Sequence, residues 1–264
     1  MQIHHPEFVP DPLLSREEME ALQRDVAETA IFDDDFSFDP TTIFDHQSRA
    51  DADQKTFDES GEPPLVAGID QAFLDDKALS AVVVTQGGTV VERAGAVVDI
   101  EIPYIPGLLS FREGRAILAA LDELTVEPDL LVLDGSGRIH YRQAGIATHI
   151  GVMVDLPAIG VAKSLLCGTP TRSLEEPLVE GERVAILADE RVEAPPSTVL
   201  GHAYQSRQYE SPNRYVNPLY VSPGHRLGVD TATDLVAGMC AGYKLPEPTR
   251  LADRYVAELK QRSR

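Results

Sequence analysis

Apolar residues in this chain fall into short uninterrupted runs, separated by polar stretches in which apolar positions recur every three to four residues. Runs such as Leu65-Val-Ala-Gly-Ile69 and Leu130-Leu-Val-Leu133 have the length of strands covered on both faces. The pattern predicts strands near 65–70, 81–85, 89–98, 130–134, 159–163, 182–187 and 218–222, and helices near 111–125, 143–153, 230–242 and 249–262. Strands interleaved with helices predict an α/β fold in a single domain. Upstream, Ser15 followed by Glu18 is a capping-box signature, so a helix is expected from Ser15, packed on the back of the sheet. Phe32 to Ser60 is rich in Asp and broken by Pro40, and reads as a long acidic loop or solvated insertion. The expected organisation is therefore 1–62 as N-terminal helix plus acidic insertion and 63–264 as the main domain, without internal repeats.

Two of the apolar runs end in an aspartate, Asp70 and Asp134. Were those strands neighbours, their carboxylates would converge at one sheet edge. Such a pair suits Mg²⁺, a hard ion that keeps several waters and completes its octahedron with phosphate oxygens, as phosphodiester cleavage requires. For Asp134, followed by Gly135, ordinary turn chemistry is an equal alternative. Between the two lies Ile102-Pro-Tyr104-Ile-Pro106-Gly107-Leu-Leu109, a loop stiffened by two prolines that leads into a helix. A tyrosine displayed on a rigid loop is suited to stacking on or wedging between bases, although a packed Pro-Tyr turn is the commoner finding. Glu113 reads as a first-turn helix acid unless the fold carries it to the two aspartates.

Five segments, taken in order, resemble the endonuclease V family: the strand ending in Asp70, the stretch Pro103 to Gly114, the block Leu133 to Val152, Gly160-Val-Ala-Lys163-Ser-Leu-Leu-Cys-Gly168, and Tyr220-Val-Ser-Pro-Gly-His225. The similarity runs from about Leu65 to Gly242. It implies a ribonuclease H-like fold, a mixed central sheet flanked by helices, with Mg²⁺, or Mn²⁺ in its place, on Asp70 and Asp134. It further implies cleavage of DNA at the second phosphodiester 3′ to a deoxyinosine, with Asp70, Glu113, Asp134, Lys163 and His225 as the catalytic set. Tyr104 would fill the gap left by the flipped lesion, while Pro106, Gly107, Leu109, Gly145 and Ile146 would shape its pocket. His140, just past the metal loop, is expected to reach phosphate, and His149, on a helix, to be a packing histidine. By residue type alone, Lys163 is more often a solvated strand flank and His225 more often a turn histidine in water. Two substrate alternatives keep the same site, inosine-containing RNA and branched or flapped DNA. A non-catalytic nucleic-acid binding module is disfavoured by the presence of all five catalytic-type residues.

Composition complicates this picture. The formal net charge is −20, with 43 Asp and Glu against 23 Lys and Arg, the reverse of most nucleic-acid proteins. Lysine is much scarcer than arginine and tryptophan is absent. We read a halophilic surface, because multimolar salt screens exposed charges within about 3 Å. Affinity for nucleic acid is then expected to rest more on pocket, wedge and metal than on a basic groove. The polar stretch Tyr204 to Asn217 either lines the DNA path through Arg207 and Arg214 or loops out. Cys167 and Cys240 show no ligand spacing, which argues against a disulfide framework. With no signal peptide or membrane-length apolar span, the expectation is a cytoplasmic monomer.

Overall fold

A computed structural model of the protein describes residues 1–44, 62–211 and 214–263. Its strands are β1 (Leu65–Leu74), β2 (Lys77–Gln86), β3 (Thr89–Asp99), β4 (Leu130–Asp134), β5 (Ala158–Ala162), β6 (Thr169–Pro170), β7 (Arg183–Leu187), β8 (Val199–Tyr204) and β9 (Leu219–His225). Its α-helices are α1 (Arg16–Thr29), α2 (Leu109–Asp122), α3 (Ile146–Val154), α4 (Val229–Met239) and α5 (Glu247–Arg262). All nine strands join one sheet in the order β3-β2-β1-β4-β5-β9-β8-β7-β6. The central trio β1, β4 and β5 is parallel, and the remaining pairings are antiparallel. This is the mixed α/β architecture expected.

The central strands run without polar residues as far as Ile69, Leu133 and Ala162 because helices cover both sheet faces. On one face Ala67, Ile69, Leu131 and Leu133 pack with Ile117 and Leu121 of α2 and Ile150 and Met153 of α3. On the other, Val66, Leu130, Val132 and Ile159 meet Leu235 and Val236 of α4, while Leu79 and Ala81 meet Val256 of α5. Neighbouring residues in each run thus feed opposite cores. Among the described residues no helix is long and apolar enough to cross a membrane.

The N-terminal region differs from expectation in two respects. The capping box forms, with Glu18 N–H donating to Ser15 Oγ and Ser15 N–H to Glu18 Oε2. But α1 packs against α3 and sends Val26 into the core rather than lying on the sheet. Nor is the acidic stretch a solvated insertion as far as Phe44. Phe36 stacks on Phe38 at 4.5 Å, and both pack with Ile43 on the α4 side of the core. Asp34 accepts from Gly228 N–H at 2.7 Å and Thr231 Oγ at 2.6 Å, capping α4. The remainder of the expected insertion, 45–60, lies outside the described residues. The strand pattern also missed β8, whose apolar run is interrupted by Gly201 and His202.

Candidate active site

The register of β1 on β4 places Ile69 opposite Leu133, so Asp70 and Asp134 follow side by side on adjacent strands, which lie about 4.8 Å apart. Lys163 comes directly after β5, which pairs Val161 with Asp134. Its ammonium donates to Asp134 Oδ2 at 2.5 Å. Carboxyl ends of parallel strands are where open α/β sheets bind ligands, because the crevice there is flanked by loops leading to opposite faces. Glu113, one turn into α2, is buried at the same centre.

The electrostatics are those of a site short of positive charge. Burial, reinforced by the Asp134 charge, holds the Asp70 carboxyl well above the usual carboxylate range, against the Gln71 N–H and the Lys163 ammonium. Burial also pushes Glu113 up to about 7, with Arg112 opposing and Asp134 adding to the rise. Burial works against the Lys163 charge, but its hydrogen bond to Asp134 and the charges of Asp134, Asp70 and Asp253 outweigh it and raise its pKa. Such a carboxylate pair fits a divalent cation, whose charge would relieve the repulsion that keeps Asp70 protonated. Among the described residues no three His, Cys, Asp or Glu side chains make a ready cage. An ion held here would therefore take further ligands from water and phosphate, as Mg²⁺ commonly does. Asp253, on α5, is a residue the sequence reading missed. On an amphipathic helix it has no feature that separates it from a solvated acid.

Beside the carboxylates stands the tyrosine loop. Leu108 N–H donates to Ile105 O at 3.0 Å, closing a turn over Pro106 and Gly107. Gly107 sits at φ +82°, and a Cβ there would meet the Tyr141 ring at 2.9 Å. Ile102 and Ile105 anchor the loop on Met19, Leu108 and Phe111, leaving Tyr104 63% exposed. Below it is a pocket of about 60 Å³ whose lining includes Tyr104, Gly107, Leu109, Gly145 and Ile146. This volume holds one or two waters rather than a purine, so a base enters only as the loop moves outward. Gly145 approaches Ser136 O so closely that a Cβ would lie 2.3 Å from it. Pro106 is exposed at the loop tip next to Tyr104.

Gln23 of α1 forms part of the pocket floor and was not anticipated from the sequence. Its Nε2 donates to Gly107 O at 2.9 Å, and its Oε1 accepts from Arg142 Nε at 2.8 Å. His140 completes this floor. Its Nδ1 accepts from Arg142 N–H at 3.2 Å, so Nε2 carries the proton and donates to Gly107 O at 3.0 Å. Burial drives its pKa down to about 3. The expected phosphate contact is thus corrected: both ring nitrogens are engaged inside the protein, and the neutral imidazole fixes the loop. His149 is the packing histidine expected, between Ser110 Oγ and Phe8 O.

His225 requires a second correction. Strand β9 runs antiparallel to β5 and pairs His225 with Ala158, while Asp134 pairs with Val161. Three strand positions separate the two levels, roughly 10 Å, and His225 lies at the edge opposite the carboxylates. It accepts from Ile31 N–H at 3.2 Å and meets Asp155 Oδ1 at 3.1 Å. It therefore ties the N-terminal segment to the end of α3. A large recess, about 670 Å³, opens at this far edge among Asp35, Asp129, Asp155 and Arg226.

Comparison with known proteins identifies the family and the fold. The family model described as Endonuclease V matches residues 48–254. An Endonuclease V of Haloarcula marismortui is 59% identical, over 98% of each chain, and one of Natronomonas pharaonis is 56% identical, over 99% of this chain and 98% of that one. The crystal structure of Endonuclease V from Streptomyces avermitilis has a TM-score of 0.73 at 31% identity, over 95% of both chains. That of Ciona intestinalis Endonuclease V in complex with a 24mer DNA containing an inosine followed by a ribo-adenosine shares the fold, with a TM-score of 0.67 at 24% identity over 94% of this chain and 98% of that one. With its carboxylate pair, strand-end lysine and tyrosine loop gathered at one sheet edge, this chain belongs to the endonuclease V family of nucleases.

Proposed function

We propose that the protein recognises deoxyinosine in DNA and hydrolyses the second phosphodiester on its 3′ side, leaving a nick and the base in place. The observation that carries this reading is the gathering of Asp70, Asp134 and Lys163 at one sheet edge beside the Tyr104 loop, whose small pocket admits a base once the loop moves outward. Recognition and cutting are separate tasks, and the sheet edge holds a device for each. Tyr104 takes the stacking position vacated by the extruded base, a swing that is easiest at a mispaired nucleotide. Hypoxanthine carries an oxygen where adenine carries an amine. The Ile146 N–H at the start of α3, where Gly145 and Ala147 N–H already bond Gly137 O and Ser136 O, then discriminates against adenine by being left an unpaired buried donor. Asp70 and Asp134 would hold Mg²⁺, which would supply charge stabilisation at the scissile phosphate and its leaving oxygen. Lys163 swings from Asp134 onto a non-bridging phosphate oxygen. Glu113, with no hydrogen bond to its carboxylate among the described residues, orients the attacking water and takes its proton.

The test is cleavage of an end-labelled duplex with one deoxyinosine in high KCl and Mg²⁺, beside uracil, undamaged and inosine-RNA strands, with Mn²⁺ as a second ion. A single nick at the second 3′ phosphodiester is expected, lost with chelator and in Asp70→Ala. Asp134→Ala should abolish cutting while retaining binding in a gel shift. Preference for the RNA strand would reassign the substrate, and undiminished cutting by Asp134→Ala would sink the metal assignment.

A further inference from the structure

Strand β5 ends at Ala162, just before Lys163, and its neighbour β9 begins there, pairing Tyr220 with Ala162. Strand β8 ends beside it, with Tyr204 opposite Leu219. The stretch 205–218 therefore leaves and re-enters the sheet at the catalytic edge, on the side away from the Tyr104 pocket. Its shape is fixed by two glutamines. Gln205 Nε2 donates to Arg207 O and Val216 O at 2.6 and 2.8 Å, and Gln208 Oε1 accepts from Val216 N–H at 3.0 Å. The Arg207 guanidinium donates to Gly242 O, and Ser206 Oγ to Lys244 O, joining this loop to the turn between α4 and α5.

Charge and aromatic exposure come together on this platform. Several arginines elsewhere are matched with acids, among them Arg16, Arg24, Arg115, Arg172, Arg183 and Arg191. Arg207, Arg214 and Lys244 have no carboxylate within ion-pair distance among the described residues. Lys244 lies near enough to Lys163 for the two charges to repel, adding to the burial that lowers its pKa. Of eight tyrosines in the chain, three are largely exposed, Tyr104 at 63%, Tyr215 at 65% and Tyr243 at 51%. All three stand at this edge. Arg214 covers the Tyr209 ring at 4.0 Å, and Arg250, paired with Glu247, covers the Tyr243 ring at 4.4 Å. In a chain of net charge −20, unpaired cations interleaved with exposed rings complement a polyanion carrying bases.

We propose that residues 205–211 and 214–218 and the 240–246 turn form a track for the DNA strand on the 3′ side of the scissile bond. Arg207, Arg214 and Lys244 meet its phosphates, and Tyr215 and Tyr243 stack on its bases. The assignment to the 3′ side rests on the proposed function. With the lesion in the Tyr104 pocket and the cut 3′ to it, the strand crosses the carboxylates and continues over this platform.

The experiment measures kcat and KM on deoxyinosine duplexes whose 3′ flank is trimmed stepwise towards the cut, with a mirror series trimmed on the 5′ side. Wild type is compared with Arg214→Ala/Tyr215→Ala and with Arg93→Gln, an exposed cation on β3, as control. The double variant should lose about tenfold in kcat/KM on the long 3′ flank, chiefly through KM. Its salt slope of binding should be shallower by about 1. The deficit should shrink as the 3′ flank is removed and persist when only the 5′ flank is cut. A wild-type enzyme indifferent to 3′ trimming, or a deficit that follows the 5′ flank, overturns the track while leaving the proposed function intact. Wild type that ignores deoxyinosine altogether overturns the function and with it the 3′ assignment. Both substituted residues are exposed, so unchanged melting temperatures are expected and separate lost contacts from lost folding.

Discussion

Burial keeps Glu113 protonated up to about pH 7, and this sets stability against function at one side chain. The carboxyl of an unfolded chain titrates near 4.5, so between about pH 4.5 and 7 the folded protein binds the extra proton. Stability gained from that proton is fully present below the window and falls as pH rises through it. Asp70 is shifted in the same direction by burial and by Asp134, and adds to the fall. Glu113→Gln removes one ionisation. Chelator-treated Glu113→Gln should therefore lose less stability than wild type between pH 5 and 8, by up to about 3 kcal/mol, while cleavage drops by about 10²-fold or more. Parallel pH–melting curves for the two proteins would show that this carboxylate is solvated, and unchanged cleavage that it handles no proton. The residue thus carries a folding cost that the proposed role in proton transfer would explain.

At the scale of elements, the pocket depends on contacts between segments far apart in the chain. Gln23 of α1 bonds Gly107, 84 positions away, and Arg142, 119 positions away. Gln23→Ala leaves a buried Arg142 Nε and one bond fewer on the Gly107 carbonyl, a cost of about 1–3 kcal/mol. Because the freed group is the tyrosine loop, part of that cost should appear in function: a raised KM for deoxyinosine and a smaller preference over deoxyadenosine in competition cleavage. A variant destabilised in melts but unchanged in preference would mean that His140 alone fixes the loop. This contrast also marks what was legible in the sequence. Asp70, Asp134 and Lys163 could be read because each ends a continuous apolar run, and parallel strands in one sheet bring such ends to one edge. Tyr104 and Gly107 could be read because prolines and a positive-φ glycine specify a turn locally. Gln23 and Asp253 could not, since a polar residue on an amphipathic helix looks the same whether it meets solvent, a pocket floor or a catalytic lysine. His225 was misplaced because its segment matches the family while the direction of β9, which the motif does not encode, decides which edge it faces. Phe36 and Phe38 sit in an acidic stretch whose average polarity hid two core contacts.

Across the whole molecule, the distribution of charge should govern how the protein meets DNA. A surface with formal charge −20 repels a polyanion in dilute buffer, and multimolar KCl reduces that repulsion to a range of about 3 Å. The same salt weakens counterion-release binding in proportion to the number of phosphates neutralised. Proteins with six to ten such contacts lose several orders of magnitude in affinity over a modest rise in salt. Here Lys163, Arg207, Arg214 and Lys244 are the cations assigned to phosphate at this edge, Lys163 after leaving Asp134. Four contacts correspond to a slope of log K against log[KCl] between about −3 and −4. The acidic remainder of the surface contributes the opposite sign at low salt, so affinity for a deoxyinosine duplex should first rise with KCl and then decline along this shallow limb. Fluorescence-anisotropy titrations from low to multimolar KCl with catalytically silent Asp134→Ala would resolve both limbs. A monotonic decline with a slope of −6 or steeper would mean that a basic groove outside these four residues dominates. The shallow limb instead assigns the salt-resistant part of affinity to stacking by Tyr104, Tyr215 and Tyr243 and to burial of the flipped base, terms that added salt does not screen.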